Sequence, residues 1–210
     1  MCGLPYVQLE AENSIGLLAA PIMTYEIYES KPIYYSYIIV NKKSNLENFE
    51  DLRGKTFVYN DELSNSGYNM PRAKLIKMNE TKGFFGKILK SGTHEESIRM
   101  VSEGKADVSA VDSLVLDHAR LVGANYSKNV KIIEKLGPSA IPPVVYSKKL
   151  TPDIIANFQD VLVNMSKDEK GKEILKKIKL KEFTVIDDSN YDVIRKMEIL
   201  AKEADFLEIK

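Results

Sequence analysis

Ser64 and Ser66 stand on either side of Asn65, and Gly67 follows them, so this short stretch offers two hydroxyls, an amide and an unencumbered backbone. Donors of that kind bind an oxyanion well when they sit beside helix-start N–H groups, which have no partner inside the helix. The flanking residues predict that setting. Thr56-Phe57-Val58-Tyr59 is β-branched and aromatic and reads as a strand. Met70, Ala73 and Ile76 recur at helical spacing, with Lys77 and Lys82 placing cations near the helix end. Pro71 belongs in a first turn, so the regular helix is expected to begin near Asn69 as its N-cap. The N–H groups from Ser64 to Tyr68 are then expected to stay open to a ligand. The competing reading is that Ser64 and Ser66 only cap the helix.

Two further polar positions follow strands in the same way. Lys87-Ile88-Leu89-Lys90 ends at Ser91-Gly92-Thr93-His94, where a histidine in a glycine-bearing loop beside hydroxyls reads as a ligand residue. The helix after it opens on Glu95 and Glu96, buries Ile98 and Val101, and stops at Gly104. Ala106 to Val111 is the third strand, and Asp112 after it is either a ligand residue or the N-cap of a helix over Leu114 to Leu121. His118, inside that helix, reads as structural or surface. This βαβαβα order predicts a parallel sheet with right-handed crossovers, in which ligands collect beyond the carboxyl ends of the strands. The loops at Ser64 to Gly67, Ser91 to His94 and Asp112 must therefore share one sheet edge, where they can converge on one ligand.

Composition narrows the partners. Lysine plus arginine and aspartate plus glutamate number 30 each, so no global field attracts nucleic acid or an anionic membrane, and an anion site must be local. One cysteine, Cys2, excludes an intramolecular disulfide, and with only two histidines no catalytic or metal-ligating cluster is expected. No apolar run approaches the roughly 18 residues of a membrane span. The apolar start, Met1-Cys2-Gly3-Leu4-Pro5-Tyr6-Val7, lacks a polar lead-in and a basic, signal-like region, and reads as a mature or truncated chain.

Outside the central unit, Ile15 to Ala20, Tyr34 to Val40 and Lys131 to Ile133 read as strands. Pro138, Pro142 and Pro143 hold their neighbours extended in a crossing segment. Thr151-Pro152 opens a helix carrying Ile155, Phe158, Leu162 and Met165, and Ser166 with Glu169 matches a capping box for the next. Phe183 to Ile186 is a strand, and Asp188 or Ser189 opens a last helix. The expected division is one contiguous lobe over 46–135 and a discontinuous lobe over 1–45 plus 136–210, with two crossings between them.

Two α/β lobes with ligand residues on strand ends follow the plan of a periplasmic binding protein, and the residues themselves resemble a family. Asp51-Leu52-Arg53-Gly54-Lys55-Thr56, Ser64-Asn65-Ser66-Gly67-Tyr68 with Pro71, Ser91-Gly92-Thr93-His94, Gly104-Lys105-Ala106-Asp107 and Asp112 resemble the phosphate, phosphite and phosphonate substrate-binding proteins of ABC transporters. Cys2 to Tyr6 and Phe183 to Ile194 resemble them too, so the resemblance spans nearly the whole chain. It implies a two-lobed, type 2 periplasmic-binding-protein-like fold, each lobe a mostly parallel sheet flanked by helices, with a ligand cleft between the lobes.

The resemblance also implies roles. Ser64, Asn65 and Ser66 would hold the anion's oxygens, although Asn65 stands where the family often has a hydroxyl. His94 would add a donor, Tyr6 would line the cleft from the other lobe, and Asp112 would accept from a protonated oxygen or an amine. A tyrosine beside an apolar segment is otherwise commonly core. Family members carry a further βαβ segment and an export signal before the Cys-Gly-x-x-Tyr stretch, so the first lobe is expected to lack its N-terminal part. The implied function is solute binding for an ABC importer, extracytoplasmic, with a membrane permease as partner and no nucleic acid, metal, cofactor or covalent chemistry. The alternatives are an enzyme on the same scaffold, resembling the pyrimidine-forming proteins of thiamine synthesis, and a ligand-sensing domain of a signalling protein.

Overall fold

In the computed structural model, which describes residues 1–210, the chain runs α1 (Gly3–Ala11), β1 (Ile15–Met23), β2 (Ile33–Asn41), β3 (Thr56–Tyr59), α2 (Met70–Lys77), β4 (Lys87–Lys90), α3 (His94–Ser102), β5 (Val108–Asp112) and α4 (Ser113–Leu121). It continues through β6 (Val130–Ala140), β7 (Val144–Ser147), α5 (Pro152–Asn164), α6 (Glu169–Lys177), β8 (Leu180–Thr184) and α7 (Asp192–Glu203). None of the helices is long and apolar enough to cross a membrane. The α/β class is the one the sequence implied.

Two compact units divide the chain, one of residues 1–34 and 139–195, the other of 35–138 and 196–210. The sequence reading divided it at 45/46 and 135/136, with two crossings where the structure has three. Two features move the boundaries. β2 pairs with β5 and so belongs to the second unit, and Ala201, Phe206 and Ile209 pack into that unit's hydrophobic core.

The first unit holds a three-stranded sheet in the order β7-β1-β8. Both pairs are antiparallel, with Ile15 opposite Ser147 and Ala20 opposite Thr184. This corrects the expectation of a mostly parallel sheet in each lobe. β7 and β8 do run parallel to each other, joined by α5 and α6, but β1 is inserted between them, and alternation of elements along the chain does not reveal what lies between two strands. Capping differs as well. Thr151 precedes Pro152 as expected, whereas α6 is capped by Asp168, whose Oδ2 accepts from the Gly171 N–H at 2.8 Å, and not by Ser166 with Glu169. Gly171 is required there, because a Cβ would lie 2.0 Å from the Met165 carbonyl oxygen.

The second unit holds a five-stranded sheet in the order β4-β3-β5-β2-β6. β3 is parallel to both β4 and β5, as the βαβαβα order predicted, and β2 is antiparallel to β5 with Ser36 opposite Asp112. Phe57 and Phe85 stack at 4.5 Å between ring centroids, and with Leu52, Leu75 and Val108 they anchor the core under β3. Burying each such side chain contributes about 1.5–3 kcal/mol, so the strand that delivers the serine loop is firmly held.

Candidate anion site

The serine loop leaves β3 and enters α2 through one π-helical turn over Asn65–Asn69. Ser64 caps it. Its Oγ accepts from the Gly67 N–H at 2.9 Å, and its carbonyl accepts from the N–H groups of Tyr68 at 3.1 Å and Asn69 at 3.0 Å. The last of these spans five residues and opens the turn beyond α-helical width. Asn69 is therefore helical in conformation (φ −66°, ψ −45°) and not the N-cap that Pro71 suggested. Pro71 has no N–H to give to Ser66, the carbonyl five residues back. That carbonyl instead accepts from Ser36 Oγ at 2.7 Å, reaching in from β2.

Two expectations are corrected here. The N–H groups of Gly67 and Tyr68 are engaged by Ser64, and that of Ser64 by the Asp61 carbonyl before the turn, so not all of those from Ser64 to Tyr68 stay open. Nor is the backbone at Gly67 unencumbered: a Cβ would lie 1.9 Å from Asn60 Oδ1 and 3.0 Å from Ser64 Oγ, so the glycine makes room for Asn60. That Asn60 oxygen is buried without a hydrogen-bond partner.

His94 brings the second strand end to the serines. Thr93 caps α3 by accepting from the Glu96 N–H at 3.1 Å, and Gly92 (φ +91°) makes the turn before it. The imidazole Nε2 lies 3.4 Å from both Ser64 Oγ and Ser66 Oγ, while the Asp112 N–H points to Nδ1 at 3.4 Å. These contacts are at the long end of the hydrogen-bond range. Because Nδ1 accepts, the proton belongs on Nε2, which makes the ring a neutral donor facing both hydroxyls. Burial pushes the His94 pKa down to about 4, so the ring is uncharged at neutral pH.

Asp112 ends β5 and caps α4, its Oδ1 accepting from the Leu114 N–H at 2.8 Å. Burial raises its pKa to about 7, with the charge of Asp117 adding to the rise, while the Leu114 and Val115 N–H groups act in the opposite direction. Asn65 is fully buried, and its Oδ1 accepts from Asn69 Nδ2 at 3.1 Å.

The structure thus brings Ser64, Ser66, His94 and Asp112 together at one edge of the sheet, with Asn65 behind them. Ser64 has the cap role; Ser66 Oγ makes no cap bond and faces His94. Tyr6 lies in the first unit, 1% exposed, its hydroxyl donating to Asp188 at 2.6 Å and its ring tilted against Tyr191 at 4.6 Å. Asp188 in turn accepts from Arg195 Nη2 at 2.8 Å. His118 is exposed on α4. Sequence reasoning missed Ser36 and Asn60. Ser36 could have been found, since a lone hydroxyl within the apolar run of β2 has to find a hydrogen-bond partner if it is buried.

The family described as the phosphonate periplasmic substrate-binding protein of ABC transporters matches residues 1–191. The chain belongs to that family. It is 26% identical over 175 residues to the phosphonates-binding periplasmic protein of Escherichia coli (strain K12), a match covering 81% of this chain and 52% of that protein. It therefore spans about half the length of this curated relative. In fold, the phosphonate-binding family member resembles a binding-protein component of an ABC phosphonate transporter from Pseudomonas aeruginosa, with a TM-score of 0.85 at 22% identity over 98% of this chain and 68% of that one. It also resembles PhnD1 from Prochlorococcus marinus (MIT 9301), solved in complex with methylphosphonate, with a TM-score of 0.75 at 21% identity over 97% and 76% of the two chains.

Proposed function

We propose that this chain is the solute-binding part of an ABC importer and that its ligand is a small phosphorus oxyanion: a phosphonate, phosphite or phosphate. The observation that carries the reading is the meeting of the Ser64 and Ser66 hydroxyls with the Nε2–H of a neutral His94 at one sheet edge. Hydroxyls and an uncharged N–H bind an oxyanion through oriented dipoles, and the ligand can leave again for the permease. Methylphosphonate in PhnD1 and the name of the Escherichia coli relative support the ligand class. The reading places the protein outside the cytoplasm, gives it a membrane permease as partner and asks no bond-making step of it. It is preferred over the thiamine-type enzyme and the signalling domain because the family is one of transport binding proteins.

A ligand screen by thermal unfolding tests the class. A phosphorus oxyanion at 100 times its dissociation constant is expected to add about 2.7 kcal/mol of stability. A transition shifted by nucleotides or amino acids, with no shift from phosphonate, phosphite or phosphate, would sink the proposal.

Ser66→Ala is expected to weaken the anion by about 2 kcal/mol, the range for a lost hydrogen bond to a charged group. Unfolding stability should change by less than 1 kcal/mol, because Ser66 Oγ caps nothing. Calorimetric titration of wild type and variant decides it, and equal affinities would remove Ser66 from the site.

A further inference from the structure

A buried polar relay runs into the serine turn from behind. Arg72 Nη1 donates to the Leu207 carbonyl at 2.8 Å, Arg72 Nη2 donates to Asn69 Oδ1 at 2.8 Å, and Asn69 Nδ2 donates to Asn65 Oδ1 at 3.1 Å. Asn65 and Asn69 are fully buried, and Arg72 is 8% exposed. A guanidinium offers donors only, in a planar fork. It therefore decides which way the Asn69 amide points: oxygen toward Arg72, NH2 toward Asn65. That NH2 joins the first and last residues of the π turn.

The arrangement is costly. Arg72 Nε is buried without a hydrogen-bond partner, and a buried charge is expensive unless it is compensated. An apolar residue on this face of α2 would avoid that cost, so stability alone does not account for the arginine. The π turn does account for it. A π turn is a rare geometry, found mostly as single turns and often at functional sites, and Ser64 and Ser66 are presented by the turn itself. The C-terminal segment makes a second tie, the Ile209 N–H donating to Tyr68 Oη at 2.9 Å.

We infer that Arg72 is a positioning residue for the anion site, acting through Asn69 to hold the π turn that aims Ser64 and Ser66. The inference rests on the proposed reading of those serines. Arg72 itself touches Asn69 and the C-terminal segment, so its charge is not a ligand contact.

Two variants separate the relay from simple packing. Arg72→Lys keeps the charge and removes the fork; Asn69→Asp keeps an acceptor for Arg72 and removes the donor to Asn65. In the ligand-free protein, the Asn69 and Met70 amides, which close the turn, are expected to exchange with deuterium at least about tenfold faster in both variants, with β3 and α3 unchanged. Arg72→Lys should also weaken methylphosphonate about tenfold in the wild-type background and by clearly less in a Ser66→Ala background, where only Ser64 is left for the turn to aim. Unaltered exchange in both variants, or equal losses of affinity in the two backgrounds, would overturn the relay. If the wild-type protein binds no phosphorus oxyanion, the proposed function fails while the exchange measurement still decides the relay. Should Arg72→Lys unfold, Asn69→Asp carries the exchange test alone.

Discussion

Acidification from pH 7 to pH 4 is expected to remove about 3 kcal/mol of folding stability through His94 alone. Its pKa falls from 6.5 to about 4 in the folded protein because the ring is buried. The unfolded chain therefore takes up the proton first. The contribution of His94 is fully present above the unfolded value and is lost as pH falls toward the folded one, at 1.36 kcal/mol per unit. Asp112 works in the opposite sense. Its folded pKa is raised from 3.8 to about 7, so its contribution is present at low pH and is lost as pH rises through 7. Over the same interval the two partly cancel, which flattens the wild-type curve and hides both. The contrast between wild type and His94→Gln isolates the histidine, since glutamine keeps a donor in place of Nε2–H and does not titrate. Urea unfolding at pH 7, 5.5 and 4 should show the variant gaining on wild type by about 3 kcal/mol as the pH drops. Parallel curves would mean that the imidazole stays hydrated in the folded protein, and the neutral-donor geometry would fall with it.

The parts of this site that were legible in the sequence are those that depend on chain order. Ser64, His94 and Asp112 each follow a strand, and a parallel sheet puts the ends of its strands on one edge whatever the packing details. Residues supplied by pairing across the sheet were not legible. Ser36 completes the serine turn from β2, about 30 positions earlier, because a proline five residues after Ser66 has no N–H to offer its carbonyl. The spacing of apolar residues in 70–76 is the same whether the helix enters by an α or a π turn, so Asn69 read as a cap when it is the hinge of a buried relay. Gly67 was read as a point of approach for a ligand, yet what approaches it is Asn60, seven residues back. In the first unit, the sequence pattern found β1, α5, α6 and β8 but neither α1 nor β7, which it left as an apolar start and a crossing segment, and it did not show the insertion of β1 between β7 and β8, which depends on how strands far apart in the chain pair with one another.

Raising the pH from 7 to 9 is expected to weaken methylphosphonate about fiftyfold more in the wild-type protein than in Asp112→Asn, because the carboxyl is already half ionised at pH 7. The Asp112 N–H reaches His94, whose other nitrogen faces both serines, so the Asp112 backbone lies beside the cluster proposed to receive the anion, and the prediction is that its carboxyl faces that anion. An ionised carboxylate about 4 Å from a bound anion costs on the order of 4 kcal/mol at an effective dielectric of 20. Keeping a proton on Asp112 costs less. With a pKa of about 7, protonation costs about 1.4 kcal/mol at pH 8 and about 2.7 kcal/mol at pH 9. Proton uptake therefore wins across this range, and the anion binds together with a protonated Asp112 whose O–H can donate. His94 is neutral throughout and adds no slope. The ligand's own ionisation is the same for both proteins and drops out of the ratio of their affinities. Titration in buffers of different ionisation enthalpy should show up to one proton taken up per anion by wild type beyond any uptake seen with Asp112→Asn. An aminoalkylphosphonate should respond in the opposite way, losing a charged partner in Asp112→Asn and binding wild type better as the carboxylate ionises. The same pH slope for methylphosphonate in both proteins would return Asp112 to the role its Leu114 contact already gives it, that of a helix cap.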